Sequence, residues 1–158
     1  MEDVIDRILN GTKTIAVVGL SDRTDRPSHE VARYLQERGF RIVPVNPRLK
    51  EVLGERAYGS LTDIPGGADL VEVFRKPEAV PGIAEEAIRI GIKYFWMQEG
   101  VVNEKARNML TAAGIPVVMD RCMKKELETR KRQSPERPAP ATGKRAPRDG
   151  RRSSGEAA

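Results

Sequence analysis

Short apolar runs alternate with amphipathic segments along most of the chain. Residues 15–18 are apolar at every position, which is typical of a strand covered on both faces of a parallel sheet. Comparable runs predict strands over 14–19, 41–46, 69–74, 93–97 and 116–119. Apolar residues at helical spacing predict helices over 2–10, 28–38, 78–90 and 104–113. Glycines follow most of these helices, as expected at helix ends.

This strand–helix rhythm predicts an α/β fold. Right-handed crossovers favour a Rossmann-like, doubly wound parallel sheet of five strands with helices on both faces, a three-layer αβα arrangement. The predicted strand order is 3-2-1-4-5, with the first strand central. Residues 47–60 show little regular signal and are predicted to form a loop, followed by a short turn near 61–64.

Charge divides the 158 residues into two parts. Residues 131–158 hold eight basic and three acidic side chains, which accounts for the whole net charge of +5. We therefore predict a nearly neutral domain over 1–126 and a basic tail over 127–158, disordered because it is rich in Pro and Arg and poor in large apolar residues. The tail could make weak, salt-sensitive contacts with RNA or acidic lipid, but a solubilising extension is favoured.

Cysteine and histidine usage restricts the chemistry further. One cysteine, Cys122, rules out an intrachain disulfide, and one histidine, His29, argues against a histidine-built metal site. We expect Cys122 to be a small buried thiol and His29 to be a solvated residue of a first helical turn. The first residues lack the features of a secretion signal, so a cytoplasmic location is expected.

The loop after the first strand suits a phosphate group. Gly19 permits a tight exit from the strand and close approach of a ligand to the backbone. Ser28 is a predicted N-cap, and Pro27 fixes the entry into the helix, whose free N–H groups would face the loop. Arg23 and Arg26 add positive charge there.

Cations also follow the other predicted strands. Ligands of open α/β sheets lie beyond the carboxyl ends of the strands. The basic residues at these ends are Arg23, Arg26, Arg48, Arg75, Lys76 and Arg121. Six cations at one edge of a neutral domain predict an anionic ligand, with more than one phosphate.

A dinucleotide is disfavoured by two departures from the usual fingerprint. No second or third glycine follows Gly19, and Asn46 and Pro47 stand where an acidic ribose partner is expected. The phosphate-binding loop of nucleoside triphosphatases, G-x-x-x-x-G-K-[ST], is also missing.

Five motifs in order, AVVGLS…RPS, VPVNP, DLVEVFRKPE, WMQEGVVNE and VVMDRCMK, resemble the small stand-alone bacterial CoA-binding proteins. These are similar to the CoA-binding domain of the succinyl-CoA synthetase alpha subunit. The resemblance covers about residues 1–126. It implies a Rossmann-like domain that holds CoA or acyl-CoA at the carboxyl edge of the sheet.

The resemblance also implies site residues. Two stretches of the first loop would bind the phosphates. They are Gly19, Leu20 and Ser21, and Arg26, Pro27 and Ser28; Arg23 lies between them and is also included in the site. The nucleotide would pass beside Val45, Asn46 and Pro47. The adenosine or its phosphates would be flanked by Phe74, Arg75 and Lys76, and the pantetheine by Gln98, Glu99 and Gly100.

The phosphohistidine domain of the synthetase has no counterpart in this sequence, which argues against ligase activity. Glu99 could be a general base, but it lacks an obvious acid partner, so a structural role is favoured. Phe95 and Trp96 are predicted core residues, and Asp63 and Asp120 are predicted caps. The leading hypothesis is a non-catalytic carrier, sensor or regulatory module for CoA or acyl-CoA. A small NAD(P)- or acyl-CoA-dependent enzyme is the alternative.

Overall fold

The computed structural model describes residues 2–133, with side chains from 3 to 130. Seven strands occur in this part of the chain: β1 Thr14–Val18, β2 Arg41–Val45, β3 Glu51–Val52, β4 Glu55–Arg56, β5 Leu70–Val73, β6 Tyr94–Met97 and β7 Val117–Val118. The helices are α1 Glu2–Gly11, α2 Pro27–Glu37, α3 Val80–Arg89, α4 Glu104–Ala112 and α5 Met123–Gln133. Two 3₁₀ turns, Leu61–Asp63 and Pro77–Ala79, precede β5 and α3.

Five strands form one parallel sheet, as predicted, in the order β2-β1-β5-β6-β7. Counting only these five, the order along the chain is 2-1-3-4-5, and not the predicted 3-2-1-4-5. The third strand, β5, pairs with the free side of β1, so β5 is central and β1 lies one strand from the edge. Right-handed crossovers can produce either order, and the apolar pattern predicts strands without saying which of them are neighbours. The position of the third strand could therefore not be predicted from these two signals.

A side chain fixes β5 beside β1. The backbone N–H groups of Lys13 and Thr14 donate to the carboxylate of Asp69 at 2.9 and 3.0 Å. Asp69 directly precedes β5, so these bonds align the first residues of the two strands. The neighbouring register then pairs Ile15 with Leu70.

Helices cover both faces of the sheet and bury two apolar clusters, which confirms the three-layer fold. Helices α1, α2 and α5 pack on one face, where Ile8, Leu35 and Trp96 are fully buried. Helices α3 and α4 pack on the other face, against Phe95 and Met97. The predicted core positions of Phe95 and Trp96 are confirmed.

The segment predicted to be an irregular loop contains a hairpin. Strands β3 and β4 are antiparallel and joined by Leu53 and Gly54, which have φ values of 56° and 76°. Two central residues with positive φ match the turns that suit tight hairpins. Leucine is rare in such a turn, which is why the sequence did not indicate a hairpin here.

Helix α5 extends to Gln133 and therefore passes the point where the tail was predicted to begin. Arg130 on this helix donates to Asp6 of α1 at 2.6 Å and to Glu126 at 2.8 Å. The predicted disorder beyond residue 133 falls outside the described residues.

Candidate ligand-binding site

A cleft of about 640 Å³ opens at the carboxyl ends of β1, β5 and β6. The connection after β1 leads to β2 on one side of β1, whereas the connection after β4 leads to β5 on its other side. This switch point between β1 and β5 is where open α/β sheets form their binding crevice. The residues that line the cleft are Gly19, Ser21, Arg23, Arg26, Pro27, Ser28, Phe74, Arg75, Lys76, Gln98, Glu99 and Val101. Eleven of these twelve were predicted site residues; Val101 was not.

Close backbone packing forms the cleft where β1 ends. Gly19 has a φ of 88°, and its N–H donates to the carbonyl of Val45 at 2.9 Å. A Cβ at this position would collide with the carbonyl oxygen of Phe74. Glycine is therefore required by both the dihedral angle and the contact with the neighbouring strand end.

The first loop is closed by its two serines. The backbone N–H of Ser21 donates to Oγ of Ser28 at 3.0 Å, and the N–H of Arg23 donates to Oγ of Ser21 at the same distance. Ser28 was predicted to cap helix α2, but this is wrong: the N-cap is Arg26, with Pro27 as the first helical residue. Proline suits that first position because it lacks the N–H that would remain unpaired there.

Asn46 braces the loop from outside the cleft. Its Nδ2 donates to the carbonyl of Leu20 at 3.1 Å, and its Oδ1 accepts from the N–H of Arg48 at 2.9 Å. Leu20 is fully buried in the core, and Val45 is nearly so. Leu20 and the stretch 45–47 therefore support the cleft wall and are absent from its lining.

Positive charge is concentrated in the cleft. Arg23, Arg26, Arg75 and Lys76 line it, and Arg23 pairs with Asp25 at 3.1 Å on the exposed rim. Among the residues that the structure describes, no ion pair involves Arg26, Arg75 or Lys76. Three unpaired cations around one cleft favour an anionic ligand.

Two of the six predicted cations lie elsewhere. Arg121 pairs with Glu126 at 3.1 Å, and Arg48 is exposed outside the lining. The structure thus brings together four of the six.

The stretch after β6 contributes an amide and a carboxylate. Gln98 is only 6% exposed, and its Oε1 is buried without a hydrogen-bond partner among the described residues. Glu99 is exposed and forms an ion pair with Lys125 of α5 at 2.9 Å. Gly100 lies outside the lining, and its N–H donates to Oδ1 of Asp120 at 2.7 Å.

Helix α5 holds both walls of the cleft. Lys125 contacts Glu99 after β6, while Lys124 pairs with Glu30 in the first turn of α2 at 2.7 Å. The latter hydrogen bond lowers the pKa of Glu30 and raises that of Lys124.

A buried glutamate on β5 was missed at the sequence level. Glu72 is fully buried, and neither carboxylate oxygen has a hydrogen-bond partner among the described residues. Burial raises the pKa of the Glu72 carboxyl to about 8, because the charged form loses its hydration. The signal was present in the sequence, since one acid interrupts the apolar strand Leu70–Val73.

The single histidine and cysteine are both buried. His29 is 9% exposed, so the predicted solvated position is wrong; it is a buried residue of the first turn of α2. Cys122 is a buried free thiol, as predicted, and lies outside the cleft lining. From residue 2 to residue 133, no three His, Cys, Asp or Glu side chains come together as a metal site would require.

Asp63 and Asp120 were predicted to be caps, but among the described residues neither accepts a hydrogen bond from an N–H in the first turn of a helix. Asp120 accepts from Gly100 as described above, and Asp63 accepts from Oγ of Ser60 at 3.0 Å. Helix α4, by contrast, is capped by Asn103, whose Oδ1 accepts from the N–H of Ala106 at 2.8 Å.

The fold and the cleft define an α/β domain with a cationic crevice at its topological switch point. A family model described as a CoA binding domain matches residues 13–128. The chain belongs to this family of CoA-binding domains.

Similar proteins share either the whole domain or part of it. The uncharacterized protein YneT of Bacillus subtilis is 50% identical over 120 residues, which is 76% of this chain and 89% of that protein. A hypothetical protein from Pyrococcus horikoshii has a solved structure with a TM-score of 0.79 and 38% identity, covering 82% of this chain and 91% of the other. An ADP-forming acetate–CoA ligase of Archaeoglobus fulgidus is 32% identical over 83 residues, which is 51% of this chain but only 12% of the ligase.

No helix within the described part of the chain combines the length and apolar character needed to cross a membrane.

Proposed function

We propose that the protein binds CoA or acyl-CoA in this cleft and acts as a non-catalytic carrier, sensor or regulatory module. The observation that carries the proposal is the set of unpaired cations, Arg26, Arg75 and Lys76, around a crevice at the switch point. Charge-assisted hydrogen bonds from such groups suit the phosphates of CoA. The family membership of residues 13–128 supports the same ligand.

A binding role is favoured over catalysis by the chemistry of the lining. Its titratable side chains are four cations and Glu99, and the carboxylate of Glu99 is already engaged by Lys125. The two serine hydroxyls accept hydrogen bonds from the backbone of the same loop. The lining thus offers donors for an anion rather than an adjacent nucleophile and base.

Calorimetric titration with CoA tests the ligand. The substitution Arg75→Ala should weaken CoA binding by about 1.5–3 kcal/mol, because a charge-assisted contact to phosphate is lost. Arg48→Ala is the matched control, since Arg48 is exposed at a strand end outside the lining, and it should leave the affinity unchanged.

Three results would count against the proposal. They are the absence of heat with CoA at a protein concentration of about 100 μM, equal effects of the two arginine substitutions, and retention on immobilised NADP without retention on CoA. A time course of acetyl-CoA with the protein should show no hydrolysis above the buffer rate.

A further inference from the structure

Two polar side chains near the carboxyl ends of β5 and β6 are buried. Glu72 of β5 is 0% exposed and Gln98 after β6 is 6% exposed. Three of their oxygen atoms, both of the Glu72 carboxyl and Oε1 of Gln98, lack a hydrogen-bond partner among the described residues. A buried acceptor without a donor costs about 1–3 kcal/mol, so a folded domain that contains three of them calls for an explanation.

The sheet register places the two side chains on the same face. Glu72 is paired with Trp96 on the adjacent strand. Gln98 lies two residues beyond Trp96, and its N–H continues the ladder by donating to the carbonyl of Val73. Because side chains alternate along a strand, Gln98 points to the same face as Trp96 and therefore to the same face as Glu72. With strands about 4.8 Å apart and a rise of about 3.3 Å per residue, the Cα atoms of such diagonal neighbours lie about 8 Å apart, and a water molecule between the two side chains can bridge that separation.

The protonation state of Glu72 makes the two groups complementary. Burial keeps the Glu72 carboxyl protonated at neutral pH, since its pKa is raised to about 8. A protonated carboxyl has one O–H donor, whereas Oε1 of Gln98 is an acceptor in need of one. When Oε1 of Gln98 accepts a hydrogen bond, the NH₂ group of the same amide remains available to donate into the cleft that Gln98 lines.

We propose that Glu72 is a positioning residue: one buried water molecule links its carboxyl group to Oε1 of Gln98, and this bridge directs the Gln98 NH₂ group into the cleft to donate to a carbonyl oxygen of the ligand's pantetheine arm or acyl group. This inference rests on the proposed function. Phe74 and Val101 supply apolar lining in the same cleft, which suits an arm of methylene groups and carbonyls.

The critical variants are Glu72→Met and Glu72→Gln. Methionine matches the length of glutamate but has no donor, so Glu72→Met should weaken the binding of acetyl-CoA about ten-fold, as expected for the loss of one hydrogen bond. Glutamine retains an N–H donor, so Glu72→Gln should bind acetyl-CoA within about two-fold of the wild type. Both variants should bind 3′-phosphoadenosine diphosphate, which lacks the pantetheine arm, as the wild type does.

A second substitution tests the partner. Gln98→Met should reproduce the loss seen with Glu72→Met, and the double variant should lose no more than either single variant, because one interaction is removed in all three. This test leaves Glu72 in place, so it stands even where Glu72→Met fails to fold. Emission from the buried Trp96 verifies the fold of each variant.

A matched pair of ligands identifies the carbonyl. S-ethyl-CoA differs from acetyl-CoA by the thioester carbonyl. A loss confined to acetyl-CoA assigns the contact to the thioester, whereas equal losses for both ligands assign it to a pantetheine amide.

Two outcomes overturn the inference. One is a folded Glu72→Met variant that binds acetyl-CoA as tightly as the wild type. The other is a variant that loses affinity for 3′-phosphoadenosine diphosphate to the same degree, which would make Glu72 a residue of general structure. If the wild-type protein binds none of the ligands, it is the proposed function that fails.

Discussion

Replacing Glu72 with glutamine should change how the stability of the fold depends on pH. Glu72 is the fully buried acid of the central strand, and its pKa is raised from 4.5 to about 8. The folded state therefore keeps a proton that the unfolded state releases above pH 4.5. Stability is fully present below that value and is lost as the pH rises toward 8.

The magnitude follows from the two pKa values. Each pH unit well between them costs about 1.4 kcal/mol, so the wild type should lose about 3 kcal/mol by pH 7 and about 4 kcal/mol by pH 8, relative to pH 4.5. Above pH 8 the carboxyl ionises in both states, and the loss should level off. Glutamine has no titrating proton, so the variant should lack this component entirely.

Urea denaturation at pH 5, 6, 7 and 8 measures the effect, with Trp96 as the probe. It is the only tryptophan in the sequence, and it is fully buried next to Glu72 in the sheet register. Other groups titrate equally in both proteins, so the informative quantity is the difference in the free energy of unfolding between variant and wild type. That difference should grow by about 1.4 kcal/mol per pH unit between pH 5 and 7, and by about 1 kcal/mol between pH 7 and 8.

A difference that stays constant over this range would refute the reasoning. It would mean that Glu72 titrates alike in the folded and unfolded states, and hence that the ionised carboxylate is exposed to bulk water or paired with a cation in the folded protein. A constant offset alone reports only how well the glutamine amide fits the site.

Two other substitutions test the frame of the cleft. Gly19→Ala should lower the free energy of unfolding by about 2 kcal/mol or more, because φ is 88° and the new Cβ would meet the carbonyl of Phe74. The control Gly82→Ala, with open space around the new Cβ, should be neutral or slightly stabilising. Chemical denaturation of both variants measures the difference. Equal effects at the two glycines would contradict this. Asp69→Ala should cost about 1–3 kcal/mol by removing two backbone hydrogen bonds, and Asp69→Asn should recover part of that because Oδ1 still accepts; a neutral Asp69→Ala would show that these bonds do not fix β5 beside β1.

The elements themselves could be predicted from local sequence. The apolar run at 15–18 and the stripe of Val31, Ala32 and Leu35 each require burial, and that requirement is visible without knowing the neighbours. The position of β5 could not be predicted in this way, because it depends on Asp69 reaching the backbone of Lys13 and Thr14, more than 50 residues earlier. A contact between distant residues leaves no periodic signal.

The candidate site could likewise be predicted only in part from the sequence. Gly19, Arg26 and Arg75 follow predicted strands, so the general rule for α/β sheets brought them to one edge. The rule did not distinguish cleft lining from support, and Asn46 was predicted beside the ligand although its side chain is used on the backbone of Leu20 and Arg48. Glu72 was missed because a charged residue within a strand is usually expected on an exposed face, whereas helices cover both faces of this sheet.

The two adjacent lysines of α5 make that helix sensitive to the width of the cleft. Successive residues of a helix project about 100° apart, so Lys124 and Lys125 reach in different directions, one to Glu30 beside the first loop and the other to Glu99. A change in the spacing of these two elements would stretch one of the ion pairs or displace α5. We therefore expect a spectroscopic label on α5 to report any change in cleft width that accompanies ligand binding.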